Sequence, residues 1–489
     1  TWGSDNKTKQ NIMAWNNDSN NWNSNAIISN NNTTKANSEW VAKDRQIPVQ
    51  QQQQHQIAKP PKVASSTLLQ SRQQPVIQPE VITRPVRNEM EETPSVAVLR
   101  DDKFREIVDT VSQMDVAYRP VFARVLLRWI TQANIFHNKI IQDFVWKKHN
   151  KQSIDPIVPS QEVAEVATMV YRELVSSFPS TSDQRILTAT TTQFVNYCSS
   201  QAQLIYKLKS WQAQDKLLTQ KPWTDALLQM SFCDPARFNL ESHVSGVVFG
   251  QTAVLVLRKT LDGLIQIYRI NNGQEGSVRM CGRLYNMVQR YETVTPLMSI
   301  DNVLTTLIER SMVCFHRYFG VTHECFATPL TRRLNSYCSY FPDTDKYFGS
   351  SGSFYDFFPS TGSFIALPPS NDKYNLGTMY THITNIMQSS ENPLSFIICV
   401  SHNPTFDCVR EIPGLSPYVL HAELLPRNQH VFEIGNRHTM YRSQAPLGLS
   451  LWTSTRDTVI YWIQNSLGAQ KWPITKESVH LIRESFVPR

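Results

Sequence analysis

An α/β fold, preceded by a helical domain and a disordered N-terminal tail, is expected from three features of this 489-residue chain. Residues 363–367, 376–387 and 394–400 read as strand, helix and strand with short connections, the βαβ pattern of a parallel sheet. Residues 100–230 carry apolar side chains at helical spacing. Residues 1–95 hold too few apolar side chains to offset the entropy of ordering them.

Taken in order, the tail contains Asn30-Asn31-Asn32, a glutamine run over 50–54, and Pro60, Pro61, Pro75, Pro79 and Pro85. It reads as an Asn/Gln/Pro-rich linker. Its Trp2, Trp15, Trp22 and Trp40 are short docking motifs or isolated aromatics. Deleting 1–95 should therefore leave the melting transition almost unchanged. The chain begins at Thr1 without a methionine, as a fragment would.

Helical order is expected from about residue 100. Asp101 and Asp102 offer N-caps, and Phe104, Ile107, Val108, Val111 and Met114 recur at helical spacing. Val121, Val125, Leu126 and Trp129 mark a second helix. Val163, Val166, Ala167, Val170 and Leu174 mark a third, and 202–211 a further one. Lys207, Lys209, Lys216 and Lys221 make the last section basic, as a solvated face would be.

The period then changes. Residues 252–259 and 264–270 are β-rich runs joined through Asp262-Gly263, a hairpin signal. Helical patterns return over 283–291 and 303–319. Short apolar strands follow at Cys325-Phe326, 363–367 and 394–400, so 240–489 is expected to form the α/β domain.

Composition excludes several classes. The apolar stretch 247–257 is about half of the roughly 18 residues that a membrane span needs. No apolar signal segment opens the chain. Eight cysteines are scattered without a C-x-x-C pair, unlike a disulfide framework or a zinc site. The histidines show no ligand spacing either, so no metal is expected. A net charge of +7 permits a nucleic-acid partner without requiring one.

In open α/β sheets, ligands bind beyond the carboxyl ends of the strands. Three such places stand out: Glu324-Cys325-Phe326-Ala327-Thr328-Pro329-Leu330; Phe341-Pro342-Asp343-Thr344-Asp345 with Phe348-Gly349-Ser350-Ser351-Gly352-Ser353-Phe354; and Ala366-Leu367-Pro368-Pro369-Ser370.

These segments, with Tyr347, Gly362-Ser363-Phe364 and Pro393-Leu394-Ser395-Phe396-Ile397, resemble the phosphorylated CTD-interacting factor 1 family of cap-specific adenosine N6-methyltransferases. The resemblance is densest over 323–400. It implies a Rossmann-like methyltransferase core over 240–489 that uses S-adenosylmethionine. Glu324, Cys325, Phe326, Ala327 and Pro329 would lie beside the cofactor, with Asp343 or Asp345 on its ribose hydroxyls. Phe348 and Gly349 would belong to the same pocket, and Gly349 and Gly352 offer backbone N–H groups to phosphate. Asp343-Thr344-Asp345 also reads as a plain turn or helix cap. Arg332, Arg333, Arg279 and Arg283 are candidates for RNA phosphates. Arg283 and Arg290, seven apart on one helix face, are equally a solvated face.

The family's catalytic motif is Asn-Pro-Pro-Phe. Its Asn oxygen and first Pro carbonyl accept the two N–H bonds of the adenine amine, while the aromatic stacks on the base. In this chain the motif position reads Leu367-Pro368-Pro369-Ser370. Leucine accepts no hydrogen bond, and losing an electrostatic contact to the transition state costs about 2.7–4 kcal/mol. Serine removes stacking worth about 1–3 kcal/mol. Together, roughly 4–7 kcal/mol is about a thousand- to a hundred-thousand-fold in rate.

Asn403-Pro404-Thr405-Phe406 superficially restores an Asn-Pro-x-Phe, but the flanking Gly-Ser-Phe and Pro-Leu-Ser-Phe-Ile markers assign the role to 367–370. Family members bind the phosphorylated C-terminal domain of RNA polymerase II through a WW domain, which this sequence does not show. Three functions follow from the resemblance. The first is a catalytically inactive nuclear factor associated with transcribing polymerase and capped RNA. The second is a working cap-adenosine methyltransferase. The third is an adaptor that binds neither cofactor nor RNA. None involves a membrane.

Overall fold

The computed structural model of the protein describes residues 81–83, 92–113, 118–142, 155–159, 164–178, 184–214, 230–232, 244–250, 252–273, 276–294, 305–368, 373–402, 408–412, 414–434 and 451–488. All lie in one compact unit, Pro75–Arg489. The four tail tryptophans, Pro369, Ser370 and Asn403-Pro404-Thr405-Phe406 lie outside the described residues.

Strand β1 (Val81–Thr83) comes first, followed by helices α1 (Pro94–Gln113), α2 (Arg119–Gln142), α3 (Ala164–Ser177) and α4 (Gln184–Gln214). A three-stranded antiparallel sheet follows, made of β2 (Met230–Phe232), β3 (Val244–Phe249) and β4 (Thr252–Leu257). Helices α5 (Arg258–Asn272) and α6 (Ser277–Val294) complete this half. Phe104, Trp129, Val170 and Phe194 from α1–α4 share one core with Val247, Val254, Leu264 and Tyr285 from the hairpin, α5 and α6.

The second half begins with β5 (Thr305–Thr306), α7 (Glu309–Phe319), β6 (His323–Ala327), β7 (Ser336–Ser339) and the single turn α8 (Pro342–Asp345). Then come β8 (Phe357–Pro359), β9 (Gly362–Ala366), α9 (Lys373–Ser389), β10 (Leu394–Ser401), α10 (Cys408–Glu411) and β11 (Val419–Leu425). The chain finishes through β12 (Val431–Ile434), β13 (Leu451–Thr453), β14 (Thr458–Gln464), α11 (Ser466–Lys471) and α12 (Lys476–Ser485).

Six strands form the central sheet in the order β11-β14-β10-β9-β6-β7. β10, β9, β6 and β7 run parallel, while β14 runs antiparallel to both of its neighbours. Central β10 alternates between two apolar layers, which is why its sequence is a continuous hydrophobic run. Phe396, Ile398 and Val400 face Met379, Tyr380 and Ile383 of α9. Ile397 and Cys399 face Met312 and Phe315 of α7, with Ile482 of α12. Gly320 ends α7 at φ 62°, where a Cβ would stand 2.3 Å from the Trp472 indole nitrogen. Only glycine meets both constraints.

The βαβ unit over 363–400 is present as read from the sequence. Elsewhere the structure departs from expectation. The run 264–270 is not a strand, because residues 258–272 form α5. Leu261, Leu264 and Tyr268, at helical spacing, are its buried stripe, and Gly263 lies inside the helix rather than in a turn. The hairpin instead joins β3 to β4, turning at Gly250 with φ 57°. α7 begins only at Glu309, since Thr305–Thr306 pair with β12. Asp101 and Asp102 sit inside α1 rather than capping it.

The tail boundary also moves. Val81–Thr83 pair antiparallel with β8, and Glu92 is buried within a network of charges. It pairs with both terminal nitrogens of Arg100, one of them at 2.6 Å, and with Arg290 at 2.9 Å. Arg100 also meets Asp155 at 2.8 Å, and Arg290 meets Asp343 at 3.0 Å. Burial alone would raise the Glu92 pKa, but the two guanidiniums hold the carboxyl far below its ordinary range. Removing one member of a buried charge network leaves the others uncompensated, at about 3–5 kcal/mol. Truncation through residue 95, expected from sequence to be harmless, should therefore lower the unfolding free energy by that much. Truncation at residue 80 keeps Glu92 and should not. Urea titration of the two truncated chains distinguishes the outcomes.

Candidate functional site

From β6 the chain moves outward to β7, and it returns on the other side of β6 as β9. The connections that leave β6 and β9 therefore diverge, opening a crevice at their carboxyl ends. The described residues that follow β6, β7 and β9 leave the sheet at this end, whereas Glu324 lies near the start of β6.

The loop after β6 closes on itself. Thr328 Oγ1 accepts from the backbone N–H groups of Leu330 and Thr331, each at 3.1 Å. Glu324 turns inward, where its Oε1 accepts from the N–H groups of Arg333 and Leu334, each at 2.7 Å. Burial pushes its pKa up to about 7 against those two bonds. Its role is thus to brace the loop. Cys325, Ala327 and Pro329 are buried, and half-buried Phe326 packs among the rings of Tyr340, Phe354 and Tyr355.

The loop after β7 is held by two consecutive residues of α6. Arg290 grips Asp343 with both terminal nitrogens, at 3.1 and 3.0 Å. The Tyr291 hydroxyl donates to Asp345 at 2.5 Å. Asp345 is fully buried and also accepts from Thr344 at 3.0 Å. Burial outweighs these bonds and raises its pKa to about 7. Burial would raise Asp343 too, but Arg290 reverses the sign and holds it below the ordinary carboxylate range. Of the two acids only Asp343 reaches the surface, with its side chain 28% exposed.

Several expected contacts are committed elsewhere. Phe348 is buried against Tyr268, with ring centroids 5.6 Å apart. The Gly349 N–H donates to Lys346 O and the Gly352 N–H to Ser350 Oγ, so this loop offers no free phosphate cradle at those two amides. It lies instead along the edge of β7, with Ser351 N donating to Tyr337 O at 2.8 Å. Arg283 and Arg290 do share a helix face, but it is the buried one. Arg283 donates to the Tyr268 hydroxyl at 2.8 Å and stacks 3.6 Å from the Tyr347 ring centre. Arg333 pairs with Glu433 and donates to Leu307 O. Arg332 donates to Leu334 O at 3.1 Å, and both it and Arg279 are half-buried.

At the end of β9, Leu367 and Pro368 are half-buried, and Leu367 packs against the apolar layer that includes Ile365, Ile397 and Cys399. No group of three His, Cys, Asp or Glu among the described residues is placed to hold a metal ion. No described helix is long and apolar enough to cross a membrane.

The family described as "Phosphorylated CTD interacting factor 1 WW domain" matches residues 263–435, from within α5 to the end of β12. Over these residues the chain is similar to this family. The human mRNA (2'-O-methyladenosine-N(6)-)-methyltransferase is 28% identical over 253 residues, which is 51% of this chain and 35% of that protein. The mouse protein of the same name is 28% identical over 275 residues, 53% of this chain and 38% of its own length. The chain thus covers little more than a third of these relatives. The central sheet, with its single reversed strand β14, is a Rossmann-like methyltransferase fold.

Sequence reasoning singled out Asp343 but missed what holds it. Arg290 was visible only as a charge on a helix, and Glu92 lay in a polar stretch with no pattern.

A pH dependence follows from Glu324. Its pKa is raised on folding, so its neutral form adds stability that is complete below about pH 4.5 and disappears as pH rises through about 7. Glu324→Gln keeps the accepting oxygen and removes the titration. Unfolding free energy measured against pH should lose about one proton of slope in that window, or about 1.4 kcal/mol per pH unit.

Proposed function

We propose that this chain keeps the cofactor pocket of an mRNA cap-adenosine N6-methyltransferase but not its methyl transfer, and acts in the nucleus by binding. Leu367 carries this reading. At the position where the family uses Asn to accept from the adenine amine, the chain presents a side chain without an acceptor, and that side chain packs into the apolar layer beneath.

S-adenosylmethionine supplies the methyl group in this chemistry, and the residues present fit it at one acid. A carboxylate offers about four acceptor sites. Arg290 takes two on Asp343, leaving two toward solvent for a ribose diol. Glu324 and Asp345 shape the loops behind it. Phe326 and Tyr340 line the same strand ends as aromatic neighbours.

Transfer itself needs the amine oriented. Leu367 and Ser370 replace the acceptor and the stacking ring, and the Pro368 carbonyl alone does not compensate for them. The phosphorylated tail of RNA polymerase II and capped RNA are the partners this reading assigns to the whole protein. A working methyltransferase is the second reading, favoured by the ordered loops after β6 and β7.

Labelled S-adenosylmethionine, incubated with RNA bearing a 7-methylguanosine cap and a first-nucleotide 2′-O-methyladenosine, distinguishes the two. No label should enter the RNA, while calorimetric titration shows cofactor bound. Label in the RNA at rates comparable with the mammalian relatives would overturn the reading. Leu367→Asn combined with Ser370→Phe should raise transfer by about 10³-fold or more, with some loss of stability as Asn enters an apolar layer.

A further inference from the structure

The N-terminal arm and the cofactor-side acid share one arginine. Arg290 is 1% exposed and touches only two described carboxylates, Glu92 at 2.9 Å and Asp343 at 3.0 Å through the same nitrogen. Its ring contact with Phe341, 5.3 Å to the centroid, fixes the guanidinium plane beside the loop. Glu92 is anchored in turn by Arg100, and its backbone oxygen accepts from Asn286 at 2.5 Å. Asn286 and Arg290 lie one turn apart on α6, so the arm is bound along that helix at two points.

We propose that Glu92 is a positioning residue: through Arg290 it sets where Asp343 stands, so the N-terminal arm controls the geometry of the loop after β7. The argument is geometric. A guanidinium between two carboxylates takes the orientation that satisfies both. Without the Glu92 charge, Arg290 is free to rotate toward Asp343 or toward the vacated side. The carboxylate, being partly exposed, follows or is released. The short α8 turn is held at Asp345 by the Tyr291 hydroxyl and at its start by Thr344 N and Asp345 N donating to Phe341 O, at 3.1 and 2.9 Å, so Arg290 is the tie on its Asp343 side.

This rests on the cofactor reading only for its functional consequence, so two measurements are paired on the full chain. The first is hydrogen exchange in Glu92→Gln and Glu92→Asp, well below each variant's melting transition. Exchange at Thr344 and Asp345 should quicken about tenfold in Glu92→Gln, as for one hydrogen bond lost. It should quicken less in Glu92→Asp, which keeps the charge and shortens the reach by one methylene. Amides of β10 should stay unchanged in both.

The second is titration with S-adenosylhomocysteine, where affinity should fall about five- to tenfold in Glu92→Gln and be partly restored in Glu92→Asp. If Glu92→Gln does not fold, the aspartate variant carries both measurements. Unaltered exchange over 341–345, or quickening spread equally over β10, overturns the proposal. If the unaltered protein binds no S-adenosylhomocysteine, the cofactor reading fails alone, and the exchange comparison still decides the coupling.

Discussion

Two arginines buried in the core, Arg100 and Arg290, must be neutralised, and most of the architecture around the candidate site follows from how that is done. Isolated charge in a low-dielectric interior is prohibitive. Glu92 lies between the two arginines, Asp155 takes the outer side of Arg100, and Asp343 the outer side of Arg290. The five groups come from the arm before α1, α1 itself, the loop after α2, α6 and α8. One electrostatic requirement thus joins the helical core to the loop that follows β7. The same helix adds Tyr291, which holds Asp345 through its hydroxyl. Consecutive residues of α6 therefore hold two nearby acids: Arg290 keeps Asp343 ionised and partly exposed, while burial raises the pKa of Asp345 against its bond from Tyr291.

The sheet sets the second constraint. Parallel strands need crossovers on their faces, so β9, α9 and β10 form a closed unit, and β6 with β7 forms its counterpart on the other side. The loops that leave β6 and β7 carry Leu330, Tyr340, Phe341 and Phe348 into the helical core. A crevice at that end of the sheet is then walled by two differently built halves.

What was legible in the sequence follows from the range of the interactions involved. The unit over 363–400 was readable because strand and helix periods are local and its apolar runs are long. α5 was misread as a strand because its β-rich composition and the Asp262-Gly263 pair imitate a hairpin. The deciding signal was the spacing of Leu261, Leu264 and Tyr268, whose meaning depends on a core built from other segments. Arg283 and Arg290 were correctly placed on one helix face. Whether that face meets water or Tyr268, Tyr347 and Glu92 is settled by contacts with residues as many as 198 positions away in sequence. Glu92 itself carries no pattern at all. Its importance is entirely tertiary, as expected of a counterion.

Under the proposed reading, Leu367 replaces a catalytic acceptor without harm to the fold. An Asn there would have to keep its amide toward the crevice and leave the apolar layer below incompletely covered. A leucine covers that layer, joining Ile365, Ile397 and Cys399. Apolar contact in this place stabilises, while an acceptor would serve only an incoming amine. In the absence of a requirement for transfer, the balance of packing favours leucine at this position. Asp343 presents the opposite case. Its charge is maintained by Arg290 whether or not a ligand is present, since an unpaired guanidinium in that core would cost more than the pair does. Asp343 is therefore held by the stability of the fold, whereas an acceptor at position 367 would gain nothing from packing. This physical asymmetry is what the proposed loss of transfer with a retained pocket rests on.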